Sequence, residues 1–502
     1  MIEIDGRSLT FEQFRAVVLE RSPCRLRRAA RTRMQAGRRV VEKVLERGGA
    51  VYGLNTGFGD LANVRIEPSH LELLQERLIL SHCAGAGEPL PDPAVRGMLL
   101  LRANTLARGH SGVRPELVEA LLALLAADVL AVIPSRGSAG ASGDLAPLAH
   151  LALPLLGRGR VRASGREMSA AEGLEKAGLT PLTLQPKEGL ALINGTQAMT
   201  SLLALAVLEA RRLVRIADLA AALSTDAVRG TDAAFDPRLN ALRPYPGQQA
   251  SAANLWHLMQ GSEIRESHRE NDFRVQDPYS LRCAPQVHGA VRDLLTDVES
   301  KVAVEMNAVT DNPLVFPEDD AIVSGGNFHG EPMALAADVM AMGLAELGSI
   351  SERRIDKLTN ADFSGLPPFL VRDAGLNSGF MLAQVTAAAL ASESKVLCHP
   401  ASVDSIPTSA DKEDHVSMGM GAALKLHQVL ANTRRILAIE LLCAAQGIDL
   451  VRPMRSSEPL ERLHAAVRVR IPHLDADREI SPDIDAAVSF LDGIEPFIDA
   501  LR

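Results

Sequence analysis

Tyrosine is scarce in this chain: 3 occur in 502 residues, at Tyr52, Tyr245 and Tyr279. A chain of this size has room to use tyrosine freely as an amphipathic filler, and this one does not. All of them fall in Gly- or Pro-punctuated segments, VYGLNTGFGD, RPYPGQQ and VQDPYSLRC. That placement fits particular tasks for some of them better than general packing. Cysteine is sparse as well. The 5 residues Cys24, Cys83, Cys283, Cys398 and Cys443 are odd in number and contain no CxxC pair. A disulfide framework and a cysteine zinc site are both excluded, and the thiols read as reduced ones of a cytosolic protein. There are 13 histidines but no HExxH, and no pair of His at helical ligand spacing beside a carboxylate in a turn. A metal enzyme is set aside on that ground, and no metal ligands are assigned.

Long apolar runs are missing too. The richest, Leu121–Ile133, is interrupted by Asp128 and closed by Pro134, too short to span a bilayer. The start, MIEIDGRSLT, lacks a basic stretch followed by an apolar one, so it does not read as a signal peptide. A formal net charge of -9 disfavours nucleic acid or an anionic membrane surface as the main partner. With 47% hydrophobic and 23% charged residues, the chain can bury a substantial core and is not a disordered composition.

What is present is mostly helix. Ala, Leu, Glu and Arg recur at three- and four-residue spacing over Met199–Leu223, Val287–Val309, Glu331–Leu358, Ser378–Leu397 and Val416–Ala445. Several of these are apolar on more than one face, which suits helices inside a bundle or between subunits. Strand signals are brief: IEIDG near the start and the stretch around Gly157–Val161 read as small hairpins. The expected architecture is mainly α, a long-helix bundle core with a smaller mixed N-terminal region. The expected divisions are residues 1–190, 191–450 for the bundle, and 451–502 as a helical C-terminal segment. Polar turns rich in Gly, Asn, Asp and Pro punctuate the helices, among them LINGTQ, VTDNPLVF, SGGNFHGEP and PTSADKEDHVSM. Side chains that do chemistry concentrate on such loops, so their convergence would mark the active site.

One stretch poses a sharper question. GSAGASGDLAPLAH places the six small residues Ser138–Gly143 ahead of Asp144 and an apolar run. The plainest reading is a helix start, with Ser142 or Asp144 as N-cap. An anion site at a helix N-terminus is another, but the segment lacks the GK[ST] of a P-loop and the strand-GxGxxG-helix context of a dinucleotide fold. A serine nucleophile elbow fails, because Asp144 stands where GxSxG requires glycine. A fourth reading makes the backbone the reagent. The Gly143 nitrogen can attack the Ala141 carbonyl carbon, and loss of two waters, the second from Ser142, leaves a methylidene-imidazolone electrophile. Gly143 offers an unhindered nitrogen, Ser142 a hydroxyl to eliminate, and Ala141 little bulk. A following helix N-terminus would favour negative charge developing on the ring.

With these motifs in hand, the chain resembles the aromatic amino acid ammonia-lyases and aminomutases. YGLNTGFG, LSHCAG, GSAGASGDLAPLAH, KEGLALINGTQAM, RVQDPYSLRC, MNAVTDNPLVF, SGGNFHGEP, LPPFLV, NSGFMLAQ, HPASVDSIPTSA and KEDHVSM occur in a fixed order over almost the whole chain. The resemblance implies that Ala141, Ser142 and Gly143 form the ring, with no external cofactor. It implies that Tyr52 removes the β-proton of the substrate and that Tyr279 is a second active-site tyrosine. Arg282 would pair with the substrate carboxylate, Asn194 and Gln276 would orient substrate and ring, and Phe328 would shield the site. His82 and Glu413 would face the substrate side chain, with Met381 as a further contact. Taken alone, most of these have plainer readings: Tyr52 as a turn-packing aromatic, Arg282 as a surface arginine, Asn194-Gly195 as an ordinary turn, Phe328 and His82 as core residues.

Substrate choice is carried by Ser81-His82 and Glu413. Relatives acting on tyrosine look like His-Leu at the first pair, and those acting on phenylalanine like Phe-Leu. The acid at Glu413 suits an imidazole, which donates N–H bonds. The resemblance therefore implies loss of ammonia from histidine to give trans-urocanate, in a homotetramer with shared active sites. A tyrosine or phenylalanine lyase, or a 2,3-aminomutase, is the neighbouring alternative. A non-catalytic helical protein binding an anion at the GASGD turn is the distant one. The chain departs from the family where Asp411-Lys412 replaces the Asn-Gln that usually precedes Glu-Asp-His, and a Lys412–Glu413 ion pair would weaken any imidazole contact. Cys83, where Ala is common, is a milder change.

Overall fold

The computed structural model describes residues 1–48, 51, 53–56 and 65–502. Tyr52 lies outside the described residues. Long helices dominate: Gln197–Ala227, Ala284–Glu305, Glu331–Thr359, Met381–Leu397 and Gly419–Leu450. Each coincides with one of the Ala- and Leu-rich stretches of the sequence. The protein is mainly α, as that pattern implies. Glu331–Thr359 is long and apolar enough to cross a membrane by length and composition, yet 67% of its apolar window is buried in the fold. It is built as a core helix.

Contacts divide the chain into two compact units, each discontinuous in sequence. The first comprises Met1–Leu208, Glu299–Asp338 and Pro400–Leu424, and the second Glu209–Val298, Val339–His399 and Lys425–Arg502. This differs from a division near residues 190 and 450. The unit boundaries fall inside Gln197–Ala227, Ala284–Glu305, Glu331–Thr359 and Gly419–Leu450, so helices continuous in sequence contribute to both units.

The first unit holds the short strands. Ile2–Ile4 pairs with Cys24–Leu26, and the pairing is parallel, with Ile2 opposite Cys24. The hairpin expected at IEIDG is thus corrected. A parallel partner requires a crossover, and the helix Phe11–Val18 supplies it. The hairpin expected near Gly157–Val161 does form, as Arg160–Ala163 antiparallel to Arg166–Ser169. At the centre lies the helix Asp92–Ala107, buried on every face from Ala94 to Ala107. It packs against Pro115–Ala126 and Phe11–Val18. Its core is aliphatic except for Arg96, Arg102, Asn104 and Thr105, all buried.

In the second unit, close helix packing rests on small residues. A Cβ at Gly348 would stand 3.2 Å from the Ile436 side chain, and the Thr433 hydroxyl donates to the Leu344 carbonyl at 2.9 Å. Charge is buried here as well. Arg354 and Glu440 are both fully buried and ion-paired, and Glu440 also accepts from the hydroxyls of Ser224 at 2.7 Å and Ser351 at 2.6 Å. His288 Nδ1 meets Asp218 at 2.7 Å, while Arg354 donates toward His288 Nε2 at 3.3 Å. None of the five cysteines is joined in a disulfide.

Candidate active site

The turn 137–143 runs straight into the helix Leu145–Ala152. Asp144 occupies the N-cap position but makes no capping bond to that helix. Its carboxylate instead accepts from the backbone N–H groups of Ala198 at 3.0 Å and Met199 at 2.9 Å. These belong to the first turn of Gln197–Ala227, so Asp144 caps a helix 54 residues away in sequence. The expectation of a local N-cap is corrected in this respect. The Ser138 hydroxyl donates to the same carboxylate at 3.1 Å. Burial nevertheless dominates and pushes the Asp144 carboxyl up to about 7.

The tripeptide itself has an unusual backbone. Ser142 has φ +49 and Gly143 φ +81, both left-handed. For Ser142 this is an uncommon conformation, the kind concentrated at functional sites. Gly143 has to be glycine for a second reason: a Cβ there would lie 2.2 Å from the Gly195 carbonyl oxygen. Gly195 clasps the turn on both sides of Gly143. Its N–H donates to the Ser142 carbonyl at 3.2 Å, and its carbonyl accepts from the Asp144 N–H at 2.7 Å. The Gly143 N–H donates to the Gly140 carbonyl at 3.2 Å. Among the described residues, nothing donates to the Ala141 carbonyl.

A cavity of about 420 Å³ opens above this turn, lined by Ala141, Ser142, Asn194, Phe328 and Glu413 among others, all from the first unit. The Ser142 hydroxyl donates to Glu413 Oε1 at 3.3 Å. Glu413 Oε2 accepts from the Thr408 hydroxyl at 2.7 Å, and the backbones of these two residues bond to each other at 3.0 and 3.3 Å. The carboxylate is thus held on a closed turn with one edge toward Ser142. Lys412 also lines the cavity but is exposed, and it forms no ion pair with Glu413 among the described residues. Of the two outcomes open for Lys412, the structure takes the one without that pair.

Asn194 is buried, donates through Nδ2 to the Asn312 carbonyl at 3.0 Å, and leaves its Oδ1 without a partner among the described residues. His82 ends the helix Leu71–His82 and bonds through Nδ1 to the Leu78 carbonyl at 2.8 Å. A carbonyl only accepts, so Nδ1 carries a proton, and Nε2 has no partner among the described residues.

Gln276, Tyr279, Arg282 and Met381 belong to the second unit. Tyr279 is 70% exposed, and the Arg282 guanidinium lies 4.6 Å from its ring centre. Arg282 donates through Nε to the Asp277 carbonyl at 2.9 Å, and no carboxylate pairs with it among the described residues. Its outer edge is therefore available to an anion. Gln276 is exposed, and Met381 is half-buried at the start of its helix.

Residues that the sequence pattern did not single out also reach the cavity. His329 and His415 stack with ring centres 5.8 Å apart, and Asn312 and Gly325 line the wall. Each sits inside a polar turn, SGGNFHGEP, EDHVSM or VTDNPLVF, and membership in those turns is the one signal of them that the sequence carries. Among the described residues, no group of His, Cys, Asp and Glu is placed to hold a metal ion.

Comparison with known proteins places the chain in a family. The profile of the family described as "Aromatic amino acid lyase" matches residues 9–469. A protein named histidine ammonia-lyase, from Anaeromyxobacter sp. (strain K), is 55% identical over 497 residues, covering 97% of this chain and 98% of its own. The crystal structure of histidine ammonia-lyase from Trypanosoma cruzi superposes with a TM-score of 0.92 at 46% identity, covering 99% of this chain and 95% of that one. Tyrosine aminomutase from Streptomyces globisporus gives a TM-score of 0.94 at 38% identity, with full coverage of both chains.

Proposed function

The chain belongs to the aromatic amino acid lyase family, and from that premise we propose that it removes ammonia from L-histidine to give trans-urocanate. The observation that carries this reading is the pairing of Ser142 with Glu413 across one cavity, over a turn left-handed at Ser142 and Gly143. The residues present fit a methylidene-imidazolone. Gly143 has no room for a side chain, and ring closure forfeits a single N–H bond among the described residues, the one to Gly140. The Ala141 carbonyl, whose oxygen departs, accepts nothing among the described residues. When formed, the group supplies an electrophile that makes elimination of a poor leaving group feasible.

The remaining steps are assigned to side chains. Glu413 accepts the imidazole N–H and so selects histidine over phenylalanine, and His82 and Met381 border the same ring. Arg282 binds the substrate carboxylate with its free guanidinium edge. Asn194 and Gln276 orient the amine, and Phe328 keeps water from the reacting carbon. Tyr52 takes the β-proton as the Cα–N bond breaks, with Tyr279 assisting proton transfer near the amine. Tyr52 requires a pKa below its ordinary value of about 10 for this, and neighbouring positive charge is the means. The exposure of Gln276 and Tyr279 in the single chain supports sites completed by neighbouring copies, in a homotetramer. Five thiols outside any disulfide suit a reducing, cytoplasmic compartment.

Two measurements test the reading. The first incubates the protein with histidine, tyrosine and phenylalanine and analyses both α,β-unsaturated acids and β-amino acids. Urocanate and ammonia in equal amounts from histidine are expected. The structural likeness to a tyrosine aminomutase favours a second reading, and a β-amino product from tyrosine would establish it in place of the first. The second is the mass of the peptide bearing Ala141-Ser142-Gly143, which should be lower by two waters.

A further inference from the structure

We propose that Arg102 is a positioning residue for the closure of the Ala141-Ser142-Gly143 ring, acting through Asn194 and Gly195; this rests on the reading of that tripeptide as the source of the electrophile. Arg102 sits in the middle of the Asp92–Ala107 helix and is 0% exposed. No carboxylate lies within ion-pair distance of it among the described residues. Burial pushes its guanidinium down to about 10, which leaves it charged at neutral pH. A buried cation without a direct anionic partner opposes folding, and a Met or Leu would fill the same space without that penalty.

What the charge does there is specific. Nη1 donates to the Asn194 carbonyl at 2.8 Å and to Gln197 Oε1 at 2.6 Å, while Nε and Nη2 have no hydrogen-bond partner among the described residues. Gln197 is itself oriented, because its Nε2 donates to the hydroxyls of Thr105 at 3.1 Å and Thr310 at 2.8 Å. That leaves its oxygen toward the guanidinium. The Asn194 carbonyl is therefore fixed by a charge-assisted bond. The next residue is Gly195, the one that clasps the turn on both sides of Gly143. A Cβ on Gly195 would lie 2.4 Å from Arg102 Nη1, just as one on Gly143 would lie 2.2 Å from the Gly195 oxygen. Arg102, Gly195 and Gly143 are stacked in direct contact, with the guanidinium as the rear wall.

Ring closure forms a bond from the Gly143 nitrogen to the Ala141 carbonyl carbon. The Ala141 oxygen leaves as water, taking the hydrogens of the Gly143 and Ser142 N–H groups. The second water takes the Ser142 hydroxyl and its Cα hydrogen, so no oxidant or reductant is needed. The first step demands that Ala141 and Gly143 be pressed together while their neighbours hold still. Those neighbours are the Ser142 carbonyl and the Asp144 N–H, both bonded to Gly195. Without Arg102, the Asn194-Gly195 peptide loses the bond that fixes its carbonyl, its N–H bond to Ser142 is no longer braced from behind, and the turn relaxes before the nitrogen attacks.

The test follows ring formation directly. Full-length Arg102→Met and Arg102→Lys are produced, and the Gly137–His150 fragment is weighed at intervals after synthesis, alongside circular dichroism and thermal melting. For a folded Arg102→Met, the doubly dehydrated fraction should accumulate about tenfold more slowly or worse than in the wild type. Arg102→Lys retains one donor but cannot fork between two acceptors, and should recover part of that loss, remaining about threefold slow. A purely structural role would change melting without changing the dehydrated fraction of the folded protein. Wild-type accumulation in Arg102→Met overturns the proposal; if that variant fails to fold, wild-type accumulation in Arg102→Lys overturns it. A wild-type fragment of full mass would instead bring down the electrophile reading itself, and this inference with it.

Discussion

Two buried arginines, one in each unit, are handled in opposite ways. Arg354 in the second unit meets Glu440 face to face, and Ser224, Ser351 and His288 complete the group. The neighbouring Asp218 is held down to about 2, because Arg292 and His288 outweigh the burial that opposes them. His288, lowered by burial, stays neutral and receives from Arg354 what Asp218 does not take. Arg102 in the first unit has a carbonyl and an amide oxygen as its hydrogen-bond partners among the described residues, and Asn194 beside it, which lines the cavity, keeps its Oδ1 unpartnered there. A satisfied polar network gives rigidity, whereas an unsatisfied one stores potential for a ligand or a reaction. The contrast separates a cluster that holds helices together from one that shapes a reactive turn.

The largest expected effect lies at the reactive turn. Ser142→Ala removes one oxygen whose bond to Glu413 is long, so folding should be unchanged. Turnover should fall by about four orders of magnitude, as for loss of a covalent catalytic group. A variant with near-normal turnover would remove the covalent role. Glu440→Ala strikes the other side of the comparison. It strands Arg354 without an anion, and urea unfolding should report a loss of about 3–5 kcal/mol. A loss under about 1 kcal/mol, the range of an exposed pair, would mean that this one does not hold its helices.

Asp144 sharpens the comparison through pH. Its carboxyl is pushed up by burial from 3.8 to about 7 in the folded chain. Between those values the folded state keeps a proton that the unfolded state has lost. Stability should therefore fall as pH rises from about 4 to about 7, by at most about 1.4 kcal/mol per pH unit, and level off above. The corresponding slope should vanish in Asp144→Asn, measured by urea midpoints across that range. The smallest effect is expected at Lys412. Because it forms no ion pair with Glu413, Lys412→Gln should leave kcat/KM for histidine within about twofold. A tenfold gain would show that the lysine had been competing for Glu413 after all.

The helices are legible in the amino-acid sequence, because small and apolar residues at three- and four-residue spacing allow little else. The turn 137–143 is legible in part: a glycine, a hydroxyl and a methyl side by side admit ring closure but also a helix start or an anion site, and the order of the surrounding motifs chooses among them. Glu413 and Phe328 are placed by the motifs around them. Arg102 is not. In MLLLRANTLARG it is one charge in an apolar helix, with nothing to mark it as buried rather than turned outward. The cap made by Asp144 is equally hidden, since its partners lie at Ala198 and Met199. So is the parallel pairing of IEI with CRL, which a local pattern cannot distinguish from a hairpin.

Local pattern alone settled where helices run, and it showed which three residues are able to condense as one of several readings of their turn, since both depend on neighbours in the chain. Which carbonyl faces which amide, and hence whether that condensation is held in register, depended on groups brought together from distant segments: Gly195 against Gly143, Arg102 behind Gly195, Glu413 across from Ser142. Spacing along the chain carries no information about such contacts, because they come into being only when the core closes.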